Sequence, residues 1–120
     1  MAMEVGRLSL RVIELLGLQL EENQPIYMGE SNILHMLSRH PLDYEKYGQY
    51  IPEILSRPDY VGENPTDGSI EYVKEYIIEN EFVKVAVRLT GNGVLYARSL
   101  YVLNHKRTEN FIKKGTLKKV

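Results

Sequence analysis

Between Phe82 and Leu103 the chain reads FVKVAVRL, then TGNG, then VLYARSLYVL. These are two alternating apolar runs around a glycine-rich turn, and the hairpin they imply restricts the fold more than any other segment. With Gly91-Asn92-Gly93 as a three-residue loop, Lys84, Arg88, Tyr96 and Arg98 share one sheet face. Val83, Val85, Val87, Leu89, Leu95 and Ala97 share the other. Slipping the pairing by one residue would drive Arg98 among the valines, where an unpaired guanidinium is costly. The expected sheet therefore has an apolar inner face and a cationic outer face suited to an anion. In this register Ser99 and Tyr101 point to the apolar side unless a bulge intervenes.

The flanking segments supply the rest of an α+β domain. Val5, Leu8, Val12, Leu15 and Leu16 recur at helical spacing before Gly17, which predicts a first helix over Val5 to Leu16. Pro25 to Gly29 reads as a brief strand or extended link. Ser31 is the expected cap of a second helix to about Arg39, with Ile33, Leu34 and Leu37 inward and Pro41 preventing continuation. Asp43 is the expected cap of a third helix burying Tyr44, Tyr47, Ile51, Ile54 and Leu55, kinked or restarted between Gly48 and Pro52. Strands are expected at Asp59 to Gly62, Ser69 to Ile78, Glu81 to Leu89 and Val94 to Leu103, joined by short turns into a four-stranded antiparallel meander. Asn104 then caps a final helix that ends at Gly115, with Phe111 and Ile112 as its apolar contacts. The expected organisation is one domain over 1–120: a helical part to about 57, the sheet over about 58–103, and a C-terminal helix with a basic tail over 104–120.

A chain of 120 residues buries roughly two-thirds of its unfolded surface, enough to fold without metal or disulfide support. The absence of cysteine excludes disulfides, thiolate metal sites and a cysteine nucleophile. No segment reads as a signal peptide or spanning helix, and the expected location is cytoplasmic, with no membrane partner. Charge is uneven. Arg98, Lys106, Arg107, Lys113, Lys114, Lys118 and Lys119 face a single acid, Glu109, in the last segment, whereas the remaining chain holds 8 basic and 15 acidic residues of the 15 and 16 in total. Such a split suits phosphate recognition, and a solvated terminal helix accounts for it equally.

Three histidines are candidates for proton transfer: His35, His40 and His105. His35 and His40 lie about 140° apart around a regular helix, so they serve one ligand only if the helix ends before His40. No third ligand accompanies them, and neither metal nor other cofactor is expected. Arg39 shares a flank with His35 at the i,i+4 interval. Arg98 and Ser99 are the second candidate pair, with Lys84 and Arg88 able to join Arg98 around phosphate. Against these stand bland readings: a hydrogen-bonded surface histidine, a helix-end cap, and solvated cations on an open sheet face. Glu71, Glu75, Glu79 and Glu81 alternate with apolar residues as an exposed strand would, and glycine-rich phosphate loops, GxSxG and HExxH are missing.

The succession PIYMGESNILHMLSRHP, YGQYIPEILSRPDYVGENP, SIEYVKEY, FVKVAVRL, YARSLYVL and FIKKGTLKKV resembles the phage-associated branch, third group, of the barnase, EndoU, colicin and RelE-like nuclease fold. The likeness runs from about Pro25 to Val120. It implies N-terminal helices on a four-stranded antiparallel sheet, a metal-independent ribonuclease site on that sheet, and a toxin-like role with a cognate antitoxin or immunity protein. The expected reaction is 2′-hydroxyl attack on the adjacent phosphate of an RNA such as tRNA. Residues matched to the family pattern are His40 and His35 for proton transfer and Arg98 with Ser99 for the late-strand pair. Arg39, Lys84, Arg88 and Lys106 would hold RNA, and Tyr96 or Tyr101 would stack a base. No glutamate stands clearly in the place of a barnase-like base, which leaves the base open. The alternative is a noncatalytic RNA-binding or protein-interaction module on the same scaffold.

Overall fold

The structure is a computed structural model, and it describes residues 2–120. In chain order the elements are β1 (Met3–Arg7), α1 (Leu10–Leu16), β2 (Pro25–Met28), α2 (Glu30–Arg39), α3 (Pro41–Tyr47), a 3₁₀ turn (Gly48–Tyr50), α4 (Ile51–Ser56), β3 (Tyr60–Glu63), β4 (Ile70–Tyr76), β5 (Glu81–Leu89), β6 (Leu95–Val102), α5 (His105–Lys114) and β7 (Lys118–Lys119). The fold is α+β, as expected. The sheet has seven strands rather than four, in the order β1-β2-β6-β5-β4-β3-β7. Strands β3 to β6 are antiparallel neighbours in sequence order, whereas β2 joins β6 in parallel and makes the sheet mixed.

Two of the added strands come from the amino-terminal part: β2 is the brief strand that Pro25 to Gly29 allowed, and β1 replaces the start of the expected first helix. Val5 and Leu8 are buried, but Val5 lies in β1 and Leu8 in the link before Ser9, whose hydroxyl accepts from the Val12 amide and caps α1. Apolar residues three apart fit a helix, yet a strand and a turn also brought both inward. Gly17 ends α1 in the left-handed region, as expected. The third added strand, β7, pairs with β3 at Tyr60 and Val61, and the turn leading into it passes Gly62 so closely that a Cβ there would stand 3.0 Å from the Thr116 carbonyl oxygen. Only glycine allows that approach.

Helix positions shift by a residue or two from expectation. Gly29, not Ser31, caps α2, with the Asn32 side chain accepting from the Gly29 amide. Met36 rather than Leu34 or Leu37 is the fully buried residue, and both leucines are exposed. His40 ends α2 and begins α3. Asp43 is no cap: it sits inside α3 and accepts from the Val102 amide at 3.0 Å, satisfying a β6 edge donor left without a strand partner. The restart near Pro52 occurs as α4, with proline in its first turn. Asn104 caps α5 and Gly115 closes it, but Phe111 is exposed while Thr108 is buried.

The main core lies on one sheet face, where Tyr72, Val83, Val85, Val87, Leu95, Ala97 and Leu100 meet Val12, Met36, Ile51 and Ile54 from the helices. A second small core of Val73, Phe82 and Leu117 lies under α5 on the other face, with Leu103 and Ile112 against it. The rest of that second face stays open and carries the polar residues of β4, β5 and β6.

Candidate active site

The hairpin turn forms as expected, with the Thr90 amide donating to the Val94 carbonyl around Gly91-Asn92-Gly93. Leu89 pairs with Leu95, Arg88 with Tyr96 and Val87 with Ala97. The register then shifts, so that Ala86 faces Ser99, Val85 faces Leu100 and Lys84 faces Tyr101. A bulge at Arg98 and Ser99 accounts for this, because a residue inserted into one strand changes which face the following side chains meet. Ser99 and Tyr101 thus move to the open face with Lys84 and Ala86, and Leu100 goes to the core with no exposure. The expectation that Ser99 and Tyr101 face the apolar side is corrected. The bulge comes where β2 ends and α2 takes its place along β6: the β2 pairing stops at Tyr96.

On the open face, Lys84 Nζ lies 2.9 Å from Glu71 Oε2, and only 12 % and 17 % of the two side chains is exposed. The same Nζ stands 4.7 Å from the centre of the Tyr101 ring, a cation–π distance. His40 stacks on the same tyrosine, its ring 4.7 Å from that of Tyr101 at an angle of 26°. Asn64 donates to Glu71 Oε2 at 3.4 Å. Burial pulls the Lys84 pKa down, but its polar contacts with Tyr101 and Glu71 outweigh that and hold it above the ordinary lysine range. The outer face is therefore not simply cationic: Lys84 is neutralised by a glutamate that alternation alone reads as exposed.

Glu71, Lys84 and Tyr101 form the floor of a groove of about 360 Å³ between the sheet and α5, walled by Asn104, Arg107, Thr108 and Phe111. Arg107 lines this groove and Lys106 does not. Arg39 is exposed and lines neither the Lys84 groove nor the hollows at Arg98. Further along the open face a recess of about 190 Å³ gathers His35, Asp67, Ser69, Ala86, Arg88, Arg98 and Ser99. Arg98 also borders a third, open hollow with Tyr96 and the start of α2, where Tyr96 lies 6.4 Å from Tyr27, ring to ring. The two helical histidines therefore serve different places, His40 above Tyr101 and His35 beside Ser99. His105 contacts Phe82 and Glu109 instead. Sequence reasoning passed over Glu71, Arg107 and Asp67. Of these, only Arg107 carried a signal, its place in the basic C-terminal segment.

Among the described residues, no group of three or more His, Cys, Asp or Glu side chains gathers to hold a metal ion, and no helix is long and apolar enough to cross a membrane. A family model described as phage-Barnase-EndoU-ColicinE5/D-RelE like nuclease3 matches residues 3–110. No curated protein and no solved structure matches the chain.

Proposed function

The chain belongs to the phage-Barnase-EndoU-ColicinE5/D-RelE like nuclease3 family, and from that premise we propose that it is a metal-independent endoribonuclease that cuts by 2′-hydroxyl transesterification. One observation carries the reading: Glu71, Lys84, Tyr101 and His40 make successive contacts of 2.9, 4.7 and 4.7 Å across the open face. The reaction needs an acceptor for the 2′-hydroxyl proton, a donor to the leaving 5′-oxygen, and fixed positive charge beside the phosphorane.

His40 sits at the junction of two helices, held by stacking, with an imidazole suited to giving or taking a proton. Glu71 is the second proton-transfer group, since Oε2 takes the bonds from Lys84 and Asn64 and Oε1 carries none among the described residues. Lys84 supplies the charge that the sequence reading gave to Arg98. Half-buried and braced, it is already oriented before substrate arrives, which is what makes such a charge effective. Arg107 reaches the same groove from α5 and is placed to hold an RNA phosphate.

The purified protein should cleave structured RNA, tRNA included, with chelator present and leave 2′,3′-cyclic phosphate ends. His40→Ala and Glu71→Gln should lose that activity while remaining folded. RNA panels left intact under all conditions would end the enzyme reading. In its place would stand an RNA-binding module, a reading favoured by the fact that Lys84 is already engaged by Glu71 in the free protein. A role as a toxin with a cognate immunity protein would follow from the same activity, and growth arrest on expression, relieved by His40→Ala, is its test.

A further inference from the structure

Beside the groove at Lys84 lies a smaller recess lined by two arginines that have no ion-pair or hydrogen-bond partner among the described residues. Arg88 on β5 and Arg98 on β6 both line this recess of about 190 Å³. Among the described residues neither has an ion-pair or hydrogen-bond partner, in contrast to Lys84. Like charges brought together by adjacent strands repel each other, and an anion between them relieves the repulsion. The walls suit such an occupant. His35 offers an imidazole and Ser99 a hydroxyl, both brought to this face by their elements, while Ala86 forms a floor too small to fill the space.

We propose that this recess is a phosphate-holding subsite built by Arg88, Arg98, His35 and Ser99, with Asp67 as a built-in counter-charge that weakens it. Guanidiniums bind carboxylate and phosphate oxygens alike through directed, charge-assisted bonds, and a phosphate brings enough acceptor oxygens to engage two of them and the neighbouring hydroxyl at once. Asp67 is pinned on the β3–β4 loop, its carboxylate accepting from the Ser69 amide at 2.9 Å and the Ser69 hydroxyl at 2.8 Å. Those bonds, with smaller help from Arg88 and Arg98, hold its pKa below the ordinary carboxylate range. The aspartate is thus a fixed negative charge at the mouth of a positive recess.

The subsite also has a place along the substrate. Ala86 lies two residues from Lys84 on one strand, about 7 Å away. That is a step between neighbouring groups of an extended polynucleotide, so the phosphate held here would be the one beside the scissile phosphate. This assignment rests on the ribonuclease reading, whereas the binding of phosphate does not. The same chemistry is offered by an internal phosphodiester and by a terminal phosphomonoester.

The test follows the histidine ring signals by NMR in the full chain as inorganic phosphate is added. The His35 signals should move and those of His40 should stay nearly still. Arg88→Gln should weaken the response at least about threefold, and Asp67→Asn should strengthen it about two- to fivefold, the range expected of a partly solvated charge. Thermal melting of both variants checks that the fold is kept. Signals of His35 that ignore phosphate, or an unchanged affinity in folded Arg88→Gln, would overturn the subsite. Trinucleotides with and without a 5′-phosphate then separate the two sources. A preference for the phosphorylated end supports the monoester, equal binding of both supports the internal diester, and binding no tighter than that of a phosphate-free nucleoside sinks the proposal. Phosphate binding without RNA cleavage would sink the ribonuclease reading and keep the subsite. Cleavage with an unmoved His35 would do the reverse.

Discussion

The two ends of the open sheet face differ in how their charges are arranged. At one end Lys84 and Glu71 neutralise each other at 2.9 Å, half-buried and braced by Tyr101 and His40. At the other, Arg88 and Arg98 share a recess with the loop-borne Asp67 beside them and no ion-pair partner in contact among the described residues. A paired and desolvated group is held in one orientation, which suits chemistry on a reacting atom. Unpaired cations beside water keep their attraction for an outside anion, which suits holding a substrate. Cations equivalent in sequence alternation take different work once the acids of neighbouring strands are placed.

The sharpest way to break this division is kinetic. His40→Ala and Glu71→Gln should each lower kcat by about 10²- to 10⁴-fold, whereas Arg88→Gln should act mainly through KM. Equal losses of kcat at both ends, measured with one RNA substrate, would erase the distinction. Stability comes next. Lys84→Met strands a half-buried Glu71 and should cost about 2 kcal/mol in denaturant unfolding, while Arg88→Gln should stay within about 0.5 kcal/mol.

Titration separates the ends by sign. The folded state raises the Lys84 pKa, so its contribution to stability is full below the ordinary lysine range and is lost as pH rises through the raised value. The folded state lowers that of Asp67, so its contribution is present above the ordinary carboxylate range and is lost as pH falls through the depressed value. Melting temperatures of Lys84→Met and Asp67→Asn against the parent should therefore converge with it at high and low pH respectively. The smallest expected effect is in salt dependence. Arg88→Gln should reduce the slope of log affinity for RNA against log salt by about one, and Lys84→Met combined with Glu71→Gln should leave it nearly unchanged because those two charges cancel.

The strands β3 to β6 were legible because period-two alternation and glycine turns are local, whereas β7 lay in what reads as a basic tail. Glu81–Leu89 emerges with the bounds read from sequence, and the turn at Gly91 to Gly93 set the first pairs of the hairpin correctly. The caps at Asn104 and Gly115 were legible for the same reason, as side-chain and backbone preferences that act within a few residues. The amino-terminal part was harder. Val5 and Leu8 are apolar because they are buried, and spacing alone did not separate a helix from a strand followed by a turn. Strands β1 and β2 exist as sheet members because each found an edge to pair with, a long-range event that no local pattern records.

The α+β class, the hairpin, the shared face of Arg88 and Arg98, the histidine at a proline-broken helix end and the uneven charge follow from the sequence, since each depends on neighbours along the chain. The bulge that turns Ser99 and Tyr101 outward, the pairing of Lys84 with Glu71 and the arrival of His35 and Asp67 beside the two arginines depend on contacts between distant segments. The physical reason is one of range. A strand's own alternation says which residues share a face, but one extra residue in β6, lying where α2 succeeds β2 along that strand, reverses the faces beyond it.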